Sequence, residues 1–266
     1  MNPRRCAILR EMGLTPLWRL RTSAGTGAAD AAASVDVPGL SQGKAPGPYS
    51  GGRHALPSVG HADTAHADPS SACAVRASNI AAMGWQELEE TIHACRACVL
   101  CEQRTQAVPG VGDRQARWMF VGEGPGMEED RRGEPFVGQA GRLLDRMLAA
   151  LGLKRGEDVY IANAVKCRPP HNRTPEGAEI AACAAFLDRQ IALVRPRLLI
   201  ALGRPAAQAL LGREISITAA RGKRFARDGV SVTVTYHPAY LLRNPLDKGK
   251  AWEDLCFARR IVAEGA

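Results

Sequence analysis

The sequence has no apolar run long enough to span a bilayer, and its first residues hold arginines without the apolar core of a cleavable signal. An integral membrane or exported protein is therefore not expected, and the expected compartment is the cytoplasm. The Gly-Lys-Ser/Thr of a nucleoside-triphosphate loop is missing too. The glycine-rich stretch Gly122-Glu123-Gly124-Pro125-Gly126 runs on into Met127-Glu128-Glu129-Asp130 instead. Acidic residues are in short supply: 27 Asp and Glu against 35 Lys and Arg leave a net charge of +8. That balance favours an anionic partner. Aromatic residues are nearly absent from 23–80, where Tyr49 is the single one. A stretch rich in Ala, Gly, Ser, Pro and His cannot bury enough apolar surface to offset its ordering entropy. It excludes a core there and reads as a disordered linker, with His54, His61 and His66 as solvated residues.

What the chain does have is cysteine: eight, at 6, 73, 95, 98, 101, 167, 183 and 256. Four of them fall in two spaced pairs, Cys95-x2-Cys98 and Cys167-x15-Cys183. In a reducing compartment thiols stay free, so ligation is favoured over disulfides. Buried thiolates are costly unless a metal takes their charge. A Cys-x2-Cys turn places two sulfurs on one centre, and two more complete a four-thiolate site suited to Zn²⁺ or an iron–sulfur cluster.

The 266 residues allow a medium domain with extensions. Residues 1–22 hold a short amphipathic segment, 23–84 the linker, and 85–266 the folded domain, opening on the helical stretch Trp85–Ile92. Apolar runs ending in glycine or a polar residue predict strands at Trp118–Val121, Val159–Ala162, Leu198–Leu202 and Val230–Val234. Helical periodicity predicts helices over 139–151, 175–194, 205–211 and 251–262. Strands alternating with helices mean an α/β fold, a parallel sheet with helices on both faces. Ligands then bind at the carboxyl ends of the strands, and the informative residues cluster there.

After the first strand comes the glycine-rich loop, then Pro135-Phe136-Val137-Gly138. After the second comes Asn163, whose amide offers a donor and an acceptor together. After the fourth comes Tyr236-His237-Pro238-Ala239-Tyr240-Leu241-Leu242-Arg243, a histidine followed by apolar residues and a cation that suit a base step and a phosphate.

These motifs, with Lys166-Cys167-Arg168-Pro169-Pro170, stand in the order found in the family 4 uracil-DNA glycosylases, and the stretch from about Cys95 to Val262 resembles that family. The resemblance implies a three-layer α/β/α uracil-DNA glycosylase-like fold with a four-stranded parallel sheet. It also implies a [4Fe–4S] cluster rather than zinc, ligated by Cys95, Cys98, Cys167 and Cys183, with Cys101 a bystander. The implied activity is hydrolysis of the N-glycosidic bond of uracil flipped out of single- or double-stranded DNA, leaving an abasic site for base excision repair.

The roles implied are specific. Asn163 reads uracil N3–H and O4, Phe136 stacks on the base, and Gly124 lets the backbone approach it. His237 hydrogen-bonds O2 and stabilises the departing anion. Glu123 and Glu129 belong to the base pocket; whether Glu129 walls off a C5 methyl or positions water stays open. Leu241 and Leu242 probe the base stack while Arg243 meets the backbone, with Arg168, Arg173, Arg221 and Lys223 as further phosphate contacts. Gly124 stands where a related family has a water-activating aspartate, so a dissociative mechanism is expected. No Schiff-base lysine is evident, so no strand-cleaving step is expected. A monomer is expected, with the N-terminal segment available to a protein partner. Two other readings are a tight uracil-DNA binder with little turnover, which would carry a basic insertion with a histidine near the His237 loop, and a redox sensor using the cluster. The run Leu246-Asp247-Lys248-Gly249-Lys250 has no histidine.

Overall fold

The computed structural model describes residues 69–264. The amphipathic segment 1–22 and residues 23–68 of the expected linker lie outside the described residues. The chain runs through α1 (Pro69–Ala82), α2 (Trp85–Ala94), β1 (Val111–Gly112), β2 (Trp118–Gly122), α3 (Met127–Arg132), α4 (Gln139–Ala150) and β3 (Val159–Asn163). It continues through α5 (Gly177–Val194), β4 (Leu198–Leu202), α6 (Arg204–Leu211), α7 (Ile217–Ala220), β5 (Phe225–Arg227), β6 (Val230–Thr235), α8 (Pro238–Arg243) and α9 (Lys248–Glu264). Among the described residues no helix is long and apolar enough to cross a membrane.

The strand order is β1-β3-β2-β4-β6-β5. The sheet is therefore six-stranded and mixed, not four-stranded and parallel as expected. Its four central strands are the expected ones and are mutually parallel. The added strands β1 and β5 pair antiparallel at the two edges.

Each central strand is buried on both faces, and side-chain alternation sorts the core into two layers. Trp118 and Phe120 of β2 pack with Leu144 and Met147 of α4 and Leu255 and Ala258 of α9. Met119 and Val121 face the other way, onto Leu187 and Ile191 of α5 and Ala206 and Leu210 of α6. Each Val, Leu, Ile, Phe or Met side chain among them contributes roughly 1.5–3 kcal/mol by leaving water. Among the parallel strands the chain starts at β2, adds β3 on one side and crosses to β4 on the other. That reversal puts a crevice at the carboxyl ends of β2 and its neighbours.

The linker ends earlier than expected. Pro69–Ala82 is helical, and its Ile80 is 1% exposed within a third apolar cluster holding Leu88, Ile92, Cys167 and Cys183. Arg76 of the same helix donates to the carbonyl of Ala182 at 3.0 Å and lies 4.9 Å over the Phe186 ring. A truncation at 68 and one at 80 should therefore behave differently. Removing 1–68 should leave the melting temperature of the iron-loaded protein unchanged. Removing 1–80 opens the cluster that Ile80 fills and should cost about 2–5 kcal/mol. Thermal melts of the two truncations decide it; equal melting temperatures would return the boundary to Trp85.

Candidate active site

The register of β2 against β3 pairs Gly122 with Asn163 at the carboxyl edge of the sheet. That pairing sets the floor of a cleft of about 760 Å³, lined among others by Glu123, Gly124, Glu129, Phe136, Asn163 and His237. A cleft of this size suits a nucleoside-sized ligand. A Cβ on Gly122 would stand 2.4 Å from Asn163 Oδ1 and 2.6 Å from Phe136 Cζ. Only glycine lets the amide and the ring meet there, a role that became visible only with the register.

Asn163 is 2% exposed, and its Oδ1 is buried without a hydrogen-bond partner among the described residues. An orphaned buried acceptor costs roughly 1–3 kcal/mol, and at a cleft wall it is an acceptor awaiting a donor. Phe136 sits opposite with a left-handed backbone, φ 56°. That strain is held by its surroundings. Arg155 donates to the carbonyls of Pro135 at 2.9 Å and Phe136 at 2.8 Å. Gly141 lets α4 lie against the same segment, since a Cβ there would stand 1.7 Å from the Phe136 carbonyl.

Glu129 holds two loops together. Its Oε1 accepts from the backbone N–H of Val137 at 2.9 Å and of Gly138 at 3.0 Å, and its Oε2 from that of Gly126 at 3.1 Å. Both carboxylate oxygens are thus engaged on backbone, tying the glycine-rich loop to the Phe136 loop. Gly124 also serves packing. A Cβ on it would meet Val165 Cγ2 at 2.8 Å, with Pro169 and Pro175 beyond. Burial raises the Glu123 carboxyl above the ordinary range, and Arg243 opposes the shift.

His237 ends the turn after β6 and caps α8. Its Nδ1 accepts the backbone N–H of Ala239 at 3.1 Å. A backbone N–H can only donate, so the proton of the neutral ring sits on Nε2. Burial and then the positive charge of Arg243 lower the His237 pKa to about 4. The ring lies 5.4 Å from that of Phe136 at 31°. A neutral imidazole, a buried amide acceptor and an aromatic ring therefore share one cleft.

The mouth differs in part from expectation. Leu241 is 0% exposed in the core cluster of α4 and α9, so it packs the fold and is not available to probe a base stack. Leu242, one position on, is 40% exposed. Arg243 lines the cleft, and so do Met127, which is 55% exposed, and Arg204 at the start of α6. Two of the expected phosphate contacts already hold carboxylates, and one of them, Arg173, lines the cleft. Arg221 donates to Asp254 at 2.8 Å, and Arg173 clasps Glu179 at 2.9 and 2.6 Å. Arg168 donates to Asn172 at 2.7 Å, and Lys223 is exposed on the surface.

The four paired cysteines lie behind the cleft. Cys95 ends α2, Cys98 opens a short turn, Cys167 follows β3 and Cys183 sits within α5. Cys167 and Cys183 are buried in one apolar cluster, and Cys95 and Cys98 pack against it. Burial pushes the Cys98 and Cys167 thiols up and Cys183 to about 11. Donors nonetheless aim at the sulfurs: Arg104 at Cys167 (2.8 Å), Arg76 at Cys95 (3.5 Å) and the backbone N–H of Lys166 at Cys183 (3.4 Å). Among the described residues no three His, Cys, Asp or Glu side chains are closed to metal-holding geometry. A soft four-sulfur donor set with cationic donors around it fits a thiolate-ligated iron–sulfur group.

The fold is an α/β domain with helices on both faces of its sheet and a nucleoside-sized cleft at the carboxyl edge, and residues 109–256 match the model of the uracil DNA glycosylase superfamily. The type-4 uracil-DNA glycosylase of Pyrobaculum aerophilum is 46% identical over 181 residues, 65% of this chain and 92% of its own length. That of Thermotoga maritima is 49% identical over 179 residues, 66% of this chain and 88% of its own. That of Sulfurisphaera tokodaii is 45% identical over 169 residues, 60% of this chain and 76% of its own. The chain belongs to the type-4 uracil-DNA glycosylases of the uracil DNA glycosylase superfamily.

Proposed function

We propose that this chain flips uracil out of DNA and hydrolyses its N-glycosidic bond, releasing free uracil and leaving an abasic site for base excision repair. The observation that carries the reading is the buried, partnerless Oδ1 of Asn163 in the same cleft as a neutral His237. Asn163 Oδ1 accepts from uracil N3–H while its NH2 donates to O4. Cytosine presents the reverse pattern at those two positions. Phe136 stacks on the flipped ring.

As the glycosidic bond breaks, electrons move onto the uracil and the sugar becomes cationic. His237 donates Nε2–H to uracil O2, where negative charge gathers, and needs no proton transfer to do so. With Gly124 in place of a carboxylate, the sugar cation forms before water attacks, and Glu123 at the cleft wall favours its positive charge when ionised. Glu129 acts as a positioning residue, since its oxygens are engaged on backbone. Leu242 and Arg243 meet the base stack and the phosphates. The substrate is uracil in single- or double-stranded DNA, and the protein acts as a monomer in the cytoplasm, where its thiols stay reduced. The assay is uracil release from an oligonucleotide with one uracil, scored with abasic-site cleavage. Intact DNA after incubation with iron-loaded protein would sink the reading; strand cleavage without alkali would make it a lyase.

Cys95, Cys98, Cys167 and Cys183 would hold a [4Fe–4S] cluster. Such a cluster cross-links the chain and supplies one-electron redox capacity when bound. Cys183→Ala should lose iron and visible absorbance and become poorly soluble, because the site ties α2 to α5 across a long loop. Cys101→Ala should keep its iron. Iron analysis of both variants checks the ligand set; iron lost from the Cys101 variant and kept by the Cys183 variant would reassign it.

A further inference from the structure

Lys166 is among the most buried residues, 1% exposed, and the chemistry proposed above does not use it. A buried ammonium is expensive unless hydrogen-bond acceptors meet it. Its Nζ donates to the backbone carbonyl of Asn163 at 2.7 Å and to Gln190 Oε1 at 2.7 Å. Gln190 is 0% exposed, and its amide nitrogen donates onward to the carbonyl of Pro109 at 2.7 Å. The acceptors that Lys166 meets are thus themselves anchored in the core.

The bond to Asn163 falls on one particular peptide plane. The carbonyl of Asn163 is held by Lys166, and the N–H at the other end of that plane, on Ala164, donates to the Gly122 carbonyl at 2.9 Å. The next N–H, on Val165, donates to the Glu123 carbonyl at 3.1 Å. A peptide plane fixed at both ends fixes ψ of the residue before it, and with it the direction of that residue's Cα–Cβ bond. The Asn163 side chain needs this help, because no hydrogen bond holds its Oδ1. Its aim must come from backbone and packing.

We infer that Lys166, braced by Gln190, is a positioning residue that aims the Asn163 amide into the cleft. The inference rests on the reading of Asn163 as the base reader. Lys166 also donates its backbone N–H to Cys183 Sγ at 3.4 Å. One residue therefore joins the thiol site to the base-reading amide.

The test is a double-mutant cycle on the iron-loaded full chain, measuring single-turnover uracil release. Asn163→Ala should lose roughly 10²-fold or more, as expected when a buried polar match is removed. Lys166→Met should lose roughly 10-fold or more, since a small misplacement of a recognition group carries a cost of that order. In the Asn163→Ala background Lys166→Met should cost less than about 2-fold, because the amide it aims is gone. A role in folding or iron retention lowers the active fraction alike in both backgrounds, so equal losses overturn the inference. An unchanged rate for Lys166→Met alone overturns it as well. Should Lys166→Met fail to fold, Gln190→Leu replaces it in the cycle, with a smaller loss of the same pattern expected and equal losses again overturning. A neutral Asn163→Ala would instead remove Asn163 as the base reader and take this inference with it.

Discussion

His237→Ala lowers the single-turnover rate of uracil release by about 10²-fold or more, the cost of losing one preorganised donor to a developing anion. Affinity for uracil-containing DNA changes far less. The contact strengthens mainly as charge moves onto the base, so it belongs to the transition state and not to the bound substrate. The expectation follows from how the ring is held. Ala239 N–H occupies Nδ1, burial and Arg243 oppose a positive charge, and the proton is left on Nε2. Single-turnover rates and equilibrium binding, measured on the same oligonucleotide, check it. Equal losses in rate and affinity would make His237 a binding or structural residue.

Asn163→Asp loses uracil activity steeply and gains weak activity on cytosine that rises as the pH falls. An ionised aspartate would set a lone pair against uracil O4, a mismatch that a buried site punishes. At 2% exposure the site favours the neutral acid, which raises the carboxyl pKa above its unfolded value. The acid form is then populated as pH drops through that raised value. Its O–H donates to cytosine N3 while its carbonyl accepts from N4–H. Release of uracil and cytosine from matched oligonucleotides between about pH 5 and 8 covers the range of a burial-raised carboxyl. Undiminished uracil release by the variant would remove Asn163 from recognition and undercut the site as a whole.

The parts legible in the sequence were those with a local signal. The four central strands are apolar runs that stop at a glycine or a polar residue, and the parallel order followed from the helices between them. The edge strands Val111–Gly112 and Phe225–Arg227 are too short to carry a periodic pattern. Helix α1 hid in an Ala-rich stretch where, over the described side chains 73–82, Ile80 is the one that reaches full burial. Leu241 and Leu242 are adjacent apolar residues of one type. On a helix neighbours point about 100° apart, so one faces the core and the other the solvent, and only the packing of α8 says which. Glu129 announced itself as an acid near a base pocket, but its grip on Gly126, Val137 and Gly138 depends on two loops meeting. Lys166 carried no sign of its contact with the Asn163 carbonyl beyond lying three residues away.

The measurement that bears most directly on the account is the pH dependence of single-turnover uracil release by the iron-loaded full chain. It is taken beside the Glu123→Gln variant, so that the carboxyl raised by burial is separated from the imidazole. A neutral His237 with a pKa of about 4 is already in its working form throughout. A level rate is therefore expected from about pH 5.5 to 8 in the variant, with any acid-side change in the wild type belonging to Glu123. A rate that follows a midpoint near 6.5, the ordinary imidazole value, in both proteins and loses that step in His237→Ala would contradict it.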